Sequence, residues 1–148
     1  MNTRGLGLRS HVVDGDVAAT WQPQEHHAAF PGILCGGVIG TLIDCHSAAA
    51  LAHAVRDVEG AWPWAESPGW ATAALTVRLQ RPTPLGCPVR LVARTVSLEM
   101  DDATVIVELH SDGKQRATGE VSWSRLRARG PLSPTPPFTR LRATSCDD

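Results

Sequence analysis

One acidic residue stands inside a segment that is otherwise apolar or small. Asp44 lies in GGVIGTLIDCHSAAALAHAV, which begins at Gly36. An ionised carboxylate buried in an apolar helix costs roughly several kcal/mol unless a partner or a reaction uses it. We therefore expect Asp44 to act on a substrate, either as a general base or as a nucleophile. The alternative is a carboxylate that hydrogen-bonds a neighbouring loop and only fixes the packing.

Two glycines at the start of the same segment offer the complementary chemistry. The first N–H groups of a helix have no acceptor within the helix, so they point at whatever binds there. Because Gly36 and Gly37 have no side chains, a carbonyl oxygen could approach these donors closely and develop negative charge beside them. The pair predicts an oxyanion site with Gly36 as the donor. A tight turn that needs glycine for its dihedral angles is the competing explanation.

The spacing of these residues predicts more than one subunit. Asp44 follows Gly36 by eight residues. A helix rises 1.5 Å per residue, so the two lie roughly 12 Å apart along one axis. A single chain cannot bring both to one carbonyl group. If both act on the same bond, we expect the site to lie between two copies of the chain.

Three further polar residues surround this pair. Ser47, one helical turn beyond Asp44, is expected to be its hydrogen-bond neighbour. His46 points about 200° away from Asp44 around the helix and is expected in the core or at an interface. Cys35 is expected to pack before the glycine turn, with a reactive thiolate as the minor alternative.

Histidines and cysteines elsewhere give a weaker signal. His27, with His26, lies in the loop before the glycines, where contact with a substrate and ordinary surface exposure are both open. The cysteines and histidines near the helix lack every recurrent ligand spacing, so no metal is expected.

The elements that must position these residues follow from the hydrophobic periodicity. A buried helix is expected from Gly36 to about residue 55 or 56. A loop is expected at 23–34, and a loop or insertion at 56–70. Strands are expected at 12–22, 71–80, 89–98, 104–110 and 116–126, with Asp112-Gly113 as a hairpin turn. In the strand at 71–80, strict alternation places Leu75 on one face and Thr72 on the other. One helix and a run of antiparallel strands indicate an α+β fold.

Length, composition and charge limit the domain organisation, the partners and the location of the protein. The 148 residues suit one domain, expected over 1–127, followed by a proline-rich, extended or disordered tail over 128–148. The formal charge of -1 gives no field that recruits nucleic acid or a membrane. We expect a cytoplasmic protein, because neither a secretory signal nor a bilayer-spanning stretch is recognised and the cysteines show no disulfide spacing.

Two stretches of the sequence resemble one known family. PGILCGGVIGTLIDCHSAAALA is similar to the signature of PaaI-type hotdog thioesterases, a His-Gly-Gly followed by Leu-x-Asp. ATAALTVRLQRPTPLG resembles the family's following strand, which ends in a proline and a glycine. The resemblance covers residues 30–123. It implies a hotdog fold, in which an antiparallel sheet wraps one long central helix, and it implies dimers paired through their sheets, often paired again into tetramers.

The resemblance also implies an activity and its residues. The family hydrolyses acyl-coenzyme A, which needs no cofactor. Its catalytic carboxylate falls on Asp44, its oxyanion donor on the Gly36 amide and its hydroxyl position on Thr72. From the sequence around these residues, and not from the resemblance, we expect Gly37, Ser47, Cys35 and His27 to contact the substrate. Cys35 and Ala29 depart from the pattern, which usually has histidine and an amide side chain there.

Three functions compete on these grounds. The first is hydrolysis of an acyl thioester carried by coenzyme A or by acyl-carrier protein. The second is a hotdog hydratase or dehydratase, whose acid follows the Pro-Gly pair much sooner than Asp44 follows Pro31-Gly32. The third is a non-catalytic acyl-thioester binding module, because a fold does not guarantee activity.

Overall fold

Eight strands, one long α-helix and one short 3-10 helix form the regular structure of the described part of the chain, residues 5–64 and 69–126 of a computed structural model. The expected tail over 128–148 lies outside these residues. The bounds are β1 Ser10–Val13, β2 Asp16–Trp21, β3 Ala28–Phe30, β4 Ile33–Leu34, α1 Gly36–Glu59, β5 Trp70–Leu79, β6 Val89–Leu98, β7 Asp102–Ser111 and β8 Lys114–Arg125.

Six strands form one antiparallel sheet in the order β1-β2-β6-β7-β8-β5. Along β7 and β8, buried residues alternate with more exposed ones, as expected for a sheet with one covered face. The covered face packs against α1, and the shared core is formed by aliphatic side chains of both. The α+β architecture of a sheet around one central helix is therefore confirmed.

The helix approaches the sheet closely at one glycine. Gly119 of β8 is buried, and a Cβ atom built on it would lie 2.2 Å from Cγ2 of Ile43. No real Cβ contact is that short, so a larger residue here would push the helix away from β8. Gly119 thus fixes the depth at which the middle of α1, including Asp44, lies over the sheet.

The expectation of a single first strand at 12–22 is wrong. Asp14 and Gly15 have φ angles of 50° and 86°, and Val13 pairs with Asp16 across them. Two consecutive residues with positive φ make the two-residue turn of a tight hairpin, so the segment folds back on itself as β1 and β2. Asp112-Gly113 makes the same kind of turn between β7 and β8, as expected.

The segment at 23–34 is more ordered than a loop. It contains a short 3-10 helix, Glu25–His27, and the pair β3–β4. Gly32, with a φ of 77°, follows Pro31 in the turn between these two strands. This small hairpin carries the chain to the start of α1.

The helix also extends further than the sequence indicated. It continues to Glu59 and ends at Gly60, which has a φ of 70° and donates its N–H to the Arg56 carbonyl. By length and composition this helix could span a membrane, which corrects the expectation that no segment could. Half of its most apolar stretch is buried inside the protein, as in the core helix of this fold.

Candidate active site

The start of α1 is held by backbone hydrogen bonds from two directions. The Leu34 N–H donates to the Thr83 carbonyl, and the Cys35 N–H donates to the His27 carbonyl, both at 2.9 Å. Cys35 is extended, and no side chain caps the helix. The N–H groups of the first turn, beginning with Gly36, therefore lack internal acceptors and can receive an oxyanion.

Both glycines at this point are helical. Gly36 and Gly37 lie within α1, and neither belongs to the described glycines with positive φ. The explanation that a tight turn requires glycine here is therefore wrong. A Cβ on Gly36 would lie 2.9 Å from Cδ1 of Leu79, whereas one on Gly37 would make only an ordinary 3.7 Å contact with Cys35 Sγ. The absence of side chains leaves the approach to the helix amides open.

A cleft of about 500 Å³ opens beside Gly36. The β3–β4 hairpin, the first turn of α1 and the end of β5 form its walls. Most of the lining is apolar, including Phe30, Ile33, Ile39 and Leu79. A cleft of this volume and character suits the apolar part of a small ligand. The helix amides at Gly36 stand at its wall.

Asp44 lies in the middle of α1, roughly two turns beyond Gly36, and is bound by a strand residue. Thr72 Oγ1 donates a hydrogen bond of 2.9 Å to Asp44 Oδ1. The structure thus brings together the two side chains that the resemblance assigned to catalysis. Asp44 is half-buried and not enclosed as its apolar neighbours suggested. It lies against the edge strand β5 and keeps contact with solvent, so the expected desolvation is only partial in the single chain.

A β-bulge turns Thr72 toward Asp44. The pairing of β5 with β8 shifts between Thr72 and Ala74, so that Thr72 lies opposite Trp123 while Leu75 lies opposite Val121. Strict alternation had placed Thr72 on the face opposite to Leu75. Because the bulge inserts one extra residue, both side chains lie on the helix-facing side. The expectation from strict alternation is therefore wrong at Thr72, and the bulge places its hydroxyl beside the Asp44 carboxylate.

Trp123 and Ser47 form hydrogen bonds that support α1 at Asp44. The Trp123 Nε1–H donates to Ser47 Oγ at 3.1 Å, and the Ser47 hydroxyl donates to the Asp44 carbonyl oxygen at 2.7 Å. Ser47 is therefore a hydrogen-bond neighbour of Asp44, as helical spacing predicts, but it contacts the main-chain carbonyl and not the carboxylate. Its side chain is completely buried, so it supports the helix and has no surface for a substrate. Trp123 was not predicted from the sequence, because the register of β8 in the sheet determines whether its indole reaches Ser47.

His46 is a core residue, as expected. It is fully buried, with Nδ1 2.8 Å from Ser10 Oγ and Nε2 3.0 Å from the Val17 carbonyl oxygen. A carbonyl only accepts, so Nε2–H donates to Val17 and Nδ1 accepts from the Ser10 hydroxyl. Burial lowers the pKa of His46, the bond to Val17 partly opposes this, and His11 lowers it further. The neutral ring ties α1 to the first hairpin.

His27 is positioned by its neighbours at the base of the helix start. Its Nδ1 accepts the Gln24 backbone N–H at 3.0 Å, and its ring centre lies 4.8 Å from that of Trp21 and 4.0 Å from that of His26. Partial burial lowers the pKa of His27, and the adjacent His26 lowers it further. The His27 carbonyl accepts a hydrogen bond from the Cys35 N–H, and this contact positions the first turn of α1.

Within residues 5–64 and 69–126, no group of three or more His, Cys, Asp or Glu side chains could hold a metal ion. Cys35 is half-buried at the helix start, and its role as a packing residue stays a prediction.

Comparison with known proteins places this arrangement in a family. No family model matches the sequence, and no curated protein is similar to it. A thioesterase superfamily protein from Shewanella loihica is similar in structure, with 30% identity, a TM-score of 0.62 and coverage of 82% of this chain and 92% of that chain.

Two more distant structures share the fold. The phenylacetic acid degradation protein PaaI from Thermus thermophilus, solved as a point mutant, is 24% identical, with a TM-score of 0.62 and coverage of 82% and 95% of the two chains. Thioesterase superfamily member 2 from Mus musculus is 19% identical, with a TM-score of 0.65 and coverage of 82% and 88%. Given the identity to the Shewanella protein across most of both chains, this chain belongs to the thioesterase superfamily of PaaI-type hotdog proteins.

Proposed function

We propose that this protein hydrolyses an acyl thioester, carried by coenzyme A or acyl-carrier protein, to a carboxylic acid and a free thiol. The observation that carries the proposal is the Thr72–Asp44 hydrogen bond between the edge strand β5 and α1. Because the bulge in β5 directs the Thr72 hydroxyl to Asp44, the carboxylate has a fixed orientation. A general base or a nucleophile requires such an orientation. The names of the similar proteins, which include thioesterases, support the same reaction.

The Asp44 carboxylate, the Gly36 amide and water suffice for the chemistry. In the first route, Asp44 takes a proton from water while the water oxygen bonds to the acyl carbon. In the second, the carboxylate itself attacks, and water later hydrolyses the acyl-enzyme anhydride. In both, the carbonyl oxygen becomes an oxyanion held by the Gly36 N–H, a donor worth roughly 3 to 4 kcal/mol. The C–S bond then breaks, the thiolate leaves and takes up a proton, and no cofactor is consumed.

The distance within the helix supports a site shared between two subunits. Gly36 and Asp44 both lie on α1, so they remain roughly 12 Å apart along its axis. We therefore assign the Gly36 amide of one copy and the Asp44 carboxylate of another to each site, as a dimer or a pair of dimers would provide.

Strand β5 supports the same assignment from the sheet. It is an edge strand of ten residues, and Leu75 and Leu79 on it are 41% and 55% exposed. A long edge strand with exposed apolar side chains is an aggregation hazard unless it is covered. A second copy pairing there would cover it and bring a second helix to the site. The three described cysteines are free thiols, which supports the cytoplasm as the location.

The experiment measures release of free thiol from a panel of acyl-coenzyme A and acyl-carrier-protein thioesters. We expect turnover by the wild type and a loss of about 100-fold or more in Asp44→Asn, because the amide can neither take a proton nor attack. Asp57→Asn, an exposed change on the same helix, is the matched control and should retain activity.

Three results would contradict the proposal. Near-normal turnover by folded Asp44→Asn would reject the assignment of the carboxylate. Hydration of enoyl thioesters without thiol release would identify a hydratase. Tight binding of thioesters with no turnover of any member of the panel would identify a binding module.

A further inference from the structure

A serine and a buried histidine are hydrogen-bonded at the edge of the sheet opposite to β5. Ser10 Oγ on β1 lies 2.8 Å from His46 Nδ1 on α1. The other ring nitrogen, Nε2, donates its proton to the Val17 carbonyl oxygen at 3.0 Å, so Nδ1 of the neutral ring accepts the proton of the Ser10 hydroxyl. The reaction proposed at Asp44 does not involve this pair.

The pair has the three parts of an activated serine nucleophile. Ser10 supplies the hydroxyl, His46 supplies a base within hydrogen-bond reach, and the Val17 carbonyl fixes the orientation and the tautomer of the ring, as the third member of a catalytic triad does. Burial lowers the pKa of His46, so the ring is neutral near neutral pH and can take up a proton. His46 is fully buried whereas Ser10 is exposed, so a substrate can reach the nucleophile while its base is shielded from water.

A cleft of about 200 Å³ opens beside Ser10. The first hairpin and the C-terminal half of α1 form its walls. Most of its lining is apolar, namely Val12, Val17, Ala49, Ala52 and Trp62. This volume is below the roughly 300 Å³ of the smallest clefts that hold drug-sized ligands, so the cleft suits a short acyl group.

The backbone of β1 provides a donor for a developing oxyanion. Val13 pairs with Asp16 across the two-residue turn, and the hydrogen-bonding groups of an edge strand alternate between its partner strand and the open edge. The N–H groups of Val12 and Ser10 therefore face away from β2. A serine nucleophile whose own N–H stabilises the oxyanion is a known arrangement. Because the proposed second copy pairs with β5 at the opposite edge, it leaves this site open.

We propose that Ser10 and His46 form a second catalytic site, independent of Asp44, that hydrolyses short-chain carboxylic esters. Ser10 Oγ bonds to the acyl carbon while its proton passes to His46 Nδ1. The ester C–O bond then breaks, and Nδ1 gives this proton to the departing alkoxide, which leaves as an alcohol. Water attacks the acyl-serine and gives a proton to Nδ1, which returns it to Ser10 Oγ as the carboxylic acid is released.

Covalent labelling of the full chain with an alkyl fluorophosphonate tests the nucleophile directly. The reagent bonds to an activated serine oxygen and releases fluoride. We expect an adduct on Ser10, located by peptide mass spectrometry and formed about 100-fold faster than on Ser97, an exposed serine of β6. Ser10→Ala should remove this adduct, and Ser97→Ala is the matched control that should retain it. Absence of an adduct on Ser10 of the folded wild type, or equal rates at the two serines, would overturn the proposal.

Hydrolysis of p-nitrophenyl acetate tests the turnover, with Asp44→Asn as the parent protein so that the Asp44 site does not contribute. We expect Ser10→Ala and His46→Gln, each added to this parent, to lower the rate by about 100-fold, and Ser97→Ala to leave it unchanged. Because Ser10 is exposed, Ser10→Ala gives the answer even if His46→Gln does not fold.

The two sites are separated by a third measurement, thiol release by Ser10→Ala with Asp44 intact. We expect thiol release at the level of the wild type, because Ser10 takes no part in the reaction at Asp44. Equal ester hydrolysis with and without Ser10 would refute the second site and leave the thioesterase intact. A loss of thiol release in folded Ser10→Ala would refute the independence of the two sites.

Discussion

The bond between Thr72 and Asp44 is the interaction at residue scale on which the proposed chemistry depends most. Thr72→Val keeps the shape of the side chain and removes the donor, so Asp44 loses its orientation. A hydrogen bond to a charged group is worth about 1.5 to 3 kcal/mol, which predicts a decrease in kcat of roughly 10- to 100-fold. Steady-state kinetics on a thioester substrate checks this, with Thr72→Ser as the control that keeps the hydroxyl. Equal activity of the valine and serine variants would contradict the assigned role.

Single residues could be predicted from the sequence where their type conflicts with their surroundings. Asp44 was found because a carboxylate in an apolar helix needs an explanation, and Gly36 because helix amides need an acceptor. Thr72 was found only through the family's pattern, since strand alternation pointed it to the wrong face. Ser47 was expected beside Asp44, but helical spacing could not show that its hydroxyl binds the main-chain carbonyl under Trp123.

At the scale of elements, the close contact between α1 and β8 sets the position of the site. Gly119→Ala would place a Cβ within 2.2 Å of Ile43 Cγ2, so the helix must shift. We expect a loss of about 1 to 3 kcal/mol in the free energy of unfolding, as for other overpacked cores. Chemical denaturation measures it. Gly40→Ala on α1 meets nothing within 4 Å and should stabilise by roughly 0.5 to 1 kcal/mol. Two variants of equal stability would contradict this account of the packing.

The link between α1 and the first hairpin predicts a pH dependence. Burial lowers the pKa of His46 below its ordinary 6.5. Above that pH the ring is neutral in both states, and its titration has no effect. As the pH falls below it, the unfolded chain takes up the proton first, so the folded state loses stability until the folded pKa is passed.

His46→Gln tests this link. The variant should be less stable than the wild type at pH 7, because it loses the buried ring, and its stability should fall less between pH 6.5 and 5 (roughly the titration range of histidine). Denaturation midpoints measured across this range check the prediction. His27, whose pKa is also lowered, is present in both proteins, so the difference in slope isolates His46. Parallel slopes would show that His46 does not titrate in this way.

The elements themselves could be predicted from the sequence where periodicity is strong. The central helix and the strands of the meander were expected close to where they lie. The first hairpin was missed because Asp14-Gly15 was not taken as a turn, although Asp112-Gly113 was. The bulge in β5 could not be predicted, since it depends on how β5 registers against β8 and not on the residues of β5 alone.

At the scale of the whole molecule, the proposed mechanism requires that two copies of the chain build each site. Gly36→Pro removes the N–H at the first helical position, where proline is well tolerated. Cys35 is already extended, with φ -64° and ψ 133°, as a residue before proline must be. Gly36→Ala adds a similar contact with Leu79 but keeps the N–H, so it is the matched control for steric effects.

The most direct test of the shared site mixes the Gly36→Pro and Asp44→Asn proteins under conditions that exchange subunits, and follows thiol release. Each parent alone should be nearly inactive, and light scattering should show both as oligomers. In a hybrid dimer, one site receives Gly36 from the Asp44→Asn copy and Asp44 from the Gly36→Pro copy, so activity should return on mixing. If hybrids form, as native mass spectrometry would show, and thiol release stays at the level of the parents, the shared site is contradicted.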